Sequence, residues 1–248
     1  FLPFTVPALI KQWPVIKRCW GWLLFMGAFG VAGFNTFAYL GLSHTTATNA
    51  LLINSFIPIL IILLARIYPA TLIRLPQLLG IVVSTCGVVL LVAQGSLENL
   101  AAFRFNQGDL WILVAAFVWA SYSIGLRWRP MDLSASAFLS ATMLIGIAIL
   151  SPFYWFNWLQ EPPFVASVPN LLAIVYVALF ASLGAFLFWN QGVRMVGPGT
   201  AGQFIHLMPV FGTALAMLFL GEIFRWYHGI GALMVGAGIA VTWQAGRA

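Results

Sequence analysis

Charge is what this chain has least of. Lys, Arg, Asp and Glu make up 6% of its 248 residues, against about 25% in an ordinary soluble domain. So few charges cannot cover a folded surface in water, which excludes a soluble globular fold. Acid is scarcer still, with five Asp and Glu in all. Each of them (Glu98, Asp109, Asp132, Glu161 and Glu222) falls at the end of an apolar run. That arrangement removes the usual carboxylate relay of proton-driven carriers. It also removes the paired aspartates with which a membrane prenyltransferase would hold magnesium. Of two cysteines, Cys19 lies at the edge of an apolar run and Cys86 in the middle of another, so neither a disulfide nor a metal pair is expected. No cofactor is implied. "ASLGA" around Ser182 is weak support for an activated nucleophile paired with His206, and an enzyme is not expected.

What the chain has in abundance is oil: 62% of residues are hydrophobic. Apolar runs of about 18 residues or more read as membrane-spanning helices. They fall at 20–42, 46–67, 76–94, 109–129, 135–157, 171–192, 199–221 and 227–246. Phe1 to Leu9 is too short to span and reads as the tail of a truncated helix, without the layout of a signal peptide.

The net charge of +6 does not point to nucleic acid, because the basic residues are sorted by side. Threading through eight spans puts Lys11, Lys17, Arg18, Arg66, Arg74, Arg127, Arg129, Arg194 and Arg247 on one side of the membrane. Arg104 and Arg225 fall on the other, with Glu98, Asp109, Glu161 and Glu222. By the positive-inside rule the first group marks the cytoplasm, and the C-terminus lies there too.

A shift of 151 residues superimposes the residues that set backbone shape. Gly33 meets Gly184, Gly41 meets Gly192, Pro58 meets Pro209, Gly80 meets Gly231 and Gly87 meets Gly238. Five spans, an odd number, separate equivalent positions, so the second copy is expected upside down in the membrane. The division is a truncated first repeat at 1–94, an extracytoplasmic connection at 95–108 and an inverted second repeat at 109–246. The second repeat has two leading helices that the first lacks, so the intact fold is expected to have five plus five helices, with the first and part of the second missing here.

"FNTFAYLGLSHTTATNALLINSFIPIL" (34–60) and "GPGTAGQFIHLMPVFGTALAMLFLGE" (197–222) resemble the drug/metabolite transporter superfamily, in particular its EamA-type exporters of ten helices. The resemblance covers nearly the whole chain, apart from Ala70-Thr71, which stands where a second Gly-Glu would be expected. It implies an all-α polytopic fold, a location in the bacterial inner membrane, and export of amino acids or similar metabolites. Nucleosides, sugars or drugs are the alternative cargo, and a channel or an intramembrane enzyme the more distant readings.

Polar groups inside hydrocarbon must be satisfied locally or face a cavity. In "NALLINSFIPIL" (49–60) Thr46 and Thr48 read as caps, and Asn49 as either a cap or a cavity residue. Ser55 reads as bonded back to its own helix. Asn54 requires another helix or a lumen. Pro58 and Pro209 each remove a mid-helix hydrogen bond and make a kink, with a hinge as the functional extension. His44 near the outer mouth, and Gln203 with His206 mid-span, are ionisable or polar candidates for a site. Trp119 is too central for the interfacial belt. The candidate solute site is thus His44, Asn54, Gln203 and His206 for hydrogen bonds, with Phe37, Trp119, Tyr122 and Phe188 for apolar contact. Without a buried acid, a facilitative uniporter or coupling through a histidine is expected. The small residues Gly27, Gly30, Gly33, Ala232, Gly236 and Ala240 read as helix-contact surfaces.

Overall fold

The computed structural model describes residues 2–67, 74–101, 104–158 and 167–247, among which there is no strand. Ala70, Thr71 and Glu161 lie outside the described residues, as do the side chains of Trp158 and Arg247. An all-helical chain is what a bilayer demands, since a helix satisfies its backbone polar groups within itself. The elements are α1 (Leu2–Lys11), α2 (Trp13–Arg18), α3 (Trp20–Leu42), α4 (Ala47–Ile67), α5 (Leu75–Val92), α6 (Leu97–Ala101), α7 (Gln107–Trp128) and α8 (Ala135–Trp158).

The stretch Val168–Leu220 follows. At 53 residues it is more than twice what a bilayer of about 30 Å requires. It breaks at Gly197 (φ 81°, ψ 158°), a conformation that glycine adopts without steric cost, giving α9 (168–196) and α10 (198–220). Gly221 then ends α10 in the left-handed region (φ 73°). The last helix is α11 (Trp226–Arg247), long enough to span but less apolar. The span boundaries expected from hydropathy therefore hold within a few residues.

The helices form two compact units: residues 1–33 with 125–195, and residues 34–124 with 196–248. In the first, α1 and α2 are fastened near the start of α8. Gln12 donates to the Asp132 carbonyl at 3.2 Å, and its side-chain oxygen accepts from the Ser134 backbone and hydroxyl at 3.0 Å each. The Trp22 indole donates to the Gly125 carbonyl at 2.9 Å and stacks on Phe138. α3 meets α8 through Gly27, where a Cβ would lie 2.6 Å from Ile145, and through Gly146 against Val31. Two π-helical segments occur in this unit, Gly27–Gly33 and Val177–Gly184. They end on residues 151 apart.

The second unit is organised by α5 and α11, which run antiparallel in close contact. Gly80 faces Gly238, and Gly87 faces Gly231 with a Cβ-to-carbonyl approach of 2.7 Å. Arg74 reaches the Ala245 carbonyl, and Thr242 bonds the Gln77 carbonyl. The small-residue face of α11 was expected at Ala232, Gly236 and Ala240. Gly236 and Ala240 are instead exposed, with nothing within 4 Å of a Cβ at Gly236. The buried stripe is Gly231, Val235, Gly238 and Thr242, a spacing of four, three and four that keeps one face toward α5. Elsewhere in the unit Ile57, Ile61, Ala65, Ala116, Ala120 and Ile124 form an apolar core.

Candidate functional site

The site grows from two proline-broken helices in the second unit. Proline offers no N–H and collides with the carbonyl four residues earlier. α4 accordingly interrupts its α-helix between Asn54 and Ile57, just ahead of Pro58. α10 passes through a 3₁₀ turn at Phe204–His206, just ahead of Pro209. The interruptions free backbone groups and turn side chains inward.

Ser55 bonds back to its own helix as expected, its hydroxyl donating to the Leu52 carbonyl at 2.6 Å. Its carbonyl has a different partner: His206 Nε2 lies 2.8 Å away. His206 Nδ1 lies 2.7 Å from Ser84 Oγ on α5. A carbonyl only accepts, so Nε2 carries the hydrogen of that bond. The ring is fully buried and ties three helices together. Beside it is a narrow, closed-down cleft lined by Leu51, Asn54, Ser55, Val88, Ile205, His206, Met208 and Pro209. Asn54 faces this pocket and makes no side-chain hydrogen bond among the described residues.

Gln203, one turn before His206, is completely buried, and neither atom of its amide has a hydrogen-bond partner among the described residues. A buried polar group left unpaired costs roughly 1–3 kcal/mol. Trp119 is half-buried on the apolar core beside Ile205, with its ring 4.5 Å from Phe34 and 5.4 Å from Tyr122. Tyr122 is fully buried, and Phe37 stacks on Trp111. Asn54, Trp119, Tyr122, Gln203, His206, Phe37 and the two prolines thus belong to one unit. Phe188 belongs to the other and is 82% exposed. His44 stands exposed in the turn after α3, with Nδ1 shared between Ser43 Oγ and the Leu40 carbonyl.

A second polar centre was not foreseen. Asp109 lies in the first turn of α7, as a helix-end acid should, yet it is fully buried. Its carboxylate receives Thr45 Oγ1 at 2.5 Å, Asn106 N at 2.9 Å and Asn49 Nδ2 at 3.3 Å. Asn106 Oδ1 accepts the Asp109 N–H in return, a capping box. Thr46 caps α4 as expected, accepting from Asn49 N. The Asn49 side chain neither caps nor faces the pocket; it serves Asp109. Asn190 of α9 is buried as well. What sequence reasoning missed is Ser84 and Asp109. Serine recurs in membrane helices, and an acid at a helix start reads as solvated, so neither carries a local signal.

The fold and site define a polytopic α-helical membrane protein with a polar centre between proline-broken helices. Residues 1–93 and 106–244 match the model of the EamA-like transporter family, to which this chain belongs. It is 31% identical over 218 residues to the uncharacterized transporter YyaM of Bacillus subtilis, covering 87% of this chain and 70% of that one. It is 30% identical over 238 residues to the uncharacterized transporter YetK of the same organism, covering 94% and 71%. With protein PecM of Dickeya dadantii it shares 25% identity over 210 residues, covering 82% and 67%. A crystal structure at 19% identity superimposes with a TM-score of 0.71 over 98% of this chain and 96% of that one, a likeness of fold.

Proposed function

We propose that this transporter exports amino acids or similar small metabolites across the bacterial inner membrane by alternating access between two inverted repeats. One observation carries the repeat. If residues i and i+151 are equivalent, a contact between Gly80 and Gly238 implies its mate between Gly231 and Gly87, and both are made. The bond of His206 to Ser55 joins positions 151 apart, which supports a pseudo-two-fold axis between them. The paired π-helical segments and the paired proline breaks follow the same offset.

On this reading the repeats are 1–94 and 109–246, joined through 95–108, in a fold of five plus five helices, and the C-terminus is cytoplasmic by the sorting of basic residues. The solute meets Asn54, Gln203 and His206 through hydrogen bonds, and Phe37, Trp119 and Tyr122 through apolar contact. His44 is the candidate at the outer mouth, and Pro58 and Pro209 absorb the bending. Outward direction and the amino-acid class rest on the family resemblance.

Uptake of a panel of labelled amino acids into liposomes carrying the full-length protein tests this. Saturable uptake is expected, falling at least tenfold in Trp119→Ala and His206→Ala proteins that still fold. A folded protein that moves no amino acid would overturn the cargo assignment and turn the search to nucleosides, sugars and drugs. Conductance or unsaturable flux would replace the carrier with a channel.

A further inference from the structure

We propose that His206 is the proton-binding residue of this transporter, and that Ser84 lets the imidazole gain or lose its proton without breaking the network that holds it. The inference rests on the transport reading and adds to it a coupling ion: solute outward, proton inward.

The geometry provides two complete hydrogen-bond registers. Nε2–H is committed to the Ser55 carbonyl at 2.8 Å, so the exchangeable position is Nδ1. Ser84 Oγ lies 2.7 Å from Nδ1 and 3.0 Å from the Ile81 carbonyl. With the ring neutral, the Ser84 hydroxyl donates to Nδ1. With the ring protonated, Nδ1–H donates to Ser84 Oγ, and the hydroxyl turns to the Ile81 carbonyl. A rotation of one O–H bond converts the first register to the second, and no donor is orphaned in either. A histidine placed only as a structural tie would need one register.

Asp109, at the start of α7, is another buried ionisable group, and its surroundings are different. Thr45, Asn49 and Asn106 all direct hydrogens at its two oxygens, a single register with no alternative partner set.

No charged side chain competes around His206. On α4, Arg66 lies about three turns beyond Ser55 and is exposed. On α5, Arg74 and Cys86 are exposed. α10 carries no acid or base besides His206. His228 of α11 is engaged with the Arg225 backbone N–H at 3.1 Å. The proton held at Nδ1 is therefore the only mobile charge of this pocket among the described residues.

Position strengthens the case. Ser55 and His206 are repeat equivalents in mutual contact, so the imidazole lies at the pseudo-two-fold axis. A group there is equidistant from the two openings that an inverted repeat forms in turn. The cleft beside it is too narrow to hold water and must widen before water reaches the ring, which ties proton exchange to the opening that admits solute. The step balances simply: a proton leaves water on one side for Nδ1 and leaves Nδ1 for water on the other.

Two measurements test it. In liposomes, counterflow of labelled amino acids at equal pH reads transport alone, and accumulation under an imposed pH gradient reads coupling. At one proton per solute, one pH unit drives about tenfold accumulation. The wild-type protein is expected to show both. His206→Gln, which can donate to Ser55 and accept from Ser84 but cannot take a proton, is expected to lose gradient-driven accumulation entirely, whatever fraction of wild-type counterflow it retains. Wild-type counterflow without gradient-driven accumulation overturns the proposal, as does full accumulation by His206→Gln or by His206→Asn. The second measurement needs no solute: ¹⁵N-histidine spectra of the intact protein across about pH 4 to 9. A titrating signal absent from His206→Gln upholds the proton site even if no amino acid moves. A His206 signal that never titrates overturns it.

Discussion

Asp109→Ala should unfold this protein at a markedly lower temperature, and the size of the effect follows from distances. The fully buried carboxylate takes the Thr45 hydroxyl at 2.5 Å, the Asn106 N–H at 2.9 Å and the Asn49 amide at 3.3 Å. Hydrogen bonds to a charged group contribute roughly 1.5–3 kcal/mol, and a helix cap about 1 kcal/mol. The Thr45 bond is short and the Asn49 bond long, so the first counts fully and the second little. Thr45 also keeps the Asn106 amide as a donor at 3.1 Å, which limits the loss. The expected cost is about 3–5 kcal/mol. For a chain this long that lowers Tm by roughly 6–20 °C, at about 2–4 °C per kcal/mol. Asp109→Asn should cost about half as much. Its amide nitrogen would face the Asn49 amide, donor against donor, while the Thr45 hydroxyl can rotate to accept. Thermal unfolding in detergent, with a double-mutant cycle against Thr45→Val, is the assay. A Tm loss below about 2 °C in both variants, or a coupling near zero, would refute the idea that this network fastens the turn after α3 to the start of α7.

Gly87→Ala puts a methyl 2.7 Å from the Gly231 carbonyl and should destabilise by about 1–3 kcal/mol. Gly236→Ala meets nothing within 4 Å and should be neutral or stabilising by up to about 1 kcal/mol. Equal unfolding temperatures in detergent for the two would contradict the α5–α11 pairing. Gln203→Met removes an amide that is buried and unpaired, so Tm should hold or rise by a few degrees while amino-acid uptake drops at least tenfold. A clear fall in Tm would show that the amide is paired after all.

Glycine and proline made much of this fold legible in advance, because their effects are local. Pro58 and Pro209 each remove a backbone donor, and a break in the α-helix precedes each of them. The pairing of Gly80 and Gly87 with Gly238 and Gly231 extends the coincidence of the repeat into contact. Choosing a face is harder. Ala232, Gly236 and Ala240 form as regular a series as Gly231, Val235 and Gly238, and only the partner helix decides which is buried. Hydrogen bonds across helices are harder still. Asn49 has a cap position's sequence and an acid's company: its partner Asp109 is 60 residues away, joined through a fold that periodicity describes one helix at a time. Phe188 illustrates the same limit. Its equivalence to Phe37 follows from the offset, yet Phe37 stacks on Trp111 while Phe188 stands exposed.

On the proposed repeat, Ser55 and His206 are equivalent positions in contact, and they differ in residue type. Perfect symmetry would put two serines, or two histidines, against one another at the axis. Two serines would pair hydroxyl with carbonyl and provide no titratable group. Two histidines in contact would bring like charges together whenever both were protonated, a cost that rises steeply in a low-dielectric interior. One of each gives a single imidazole with a carbonyl for Nε2, and α5 contributes the hydroxyl for Nδ1. The equivalent of Ser84 in the other repeat is Val235, which could neither donate nor accept. Both hydrogen bonds therefore converge on one imidazole: Ser55, the proposed equivalent of His206, accepts at Nε2, and Ser84, whose proposed equivalent is Val235, bonds Nδ1. On the proposed reading, keeping shape-setting glycines and prolines in duplicate while making the axial chemistry single is the form expected of a carrier that moves one proton between two openings.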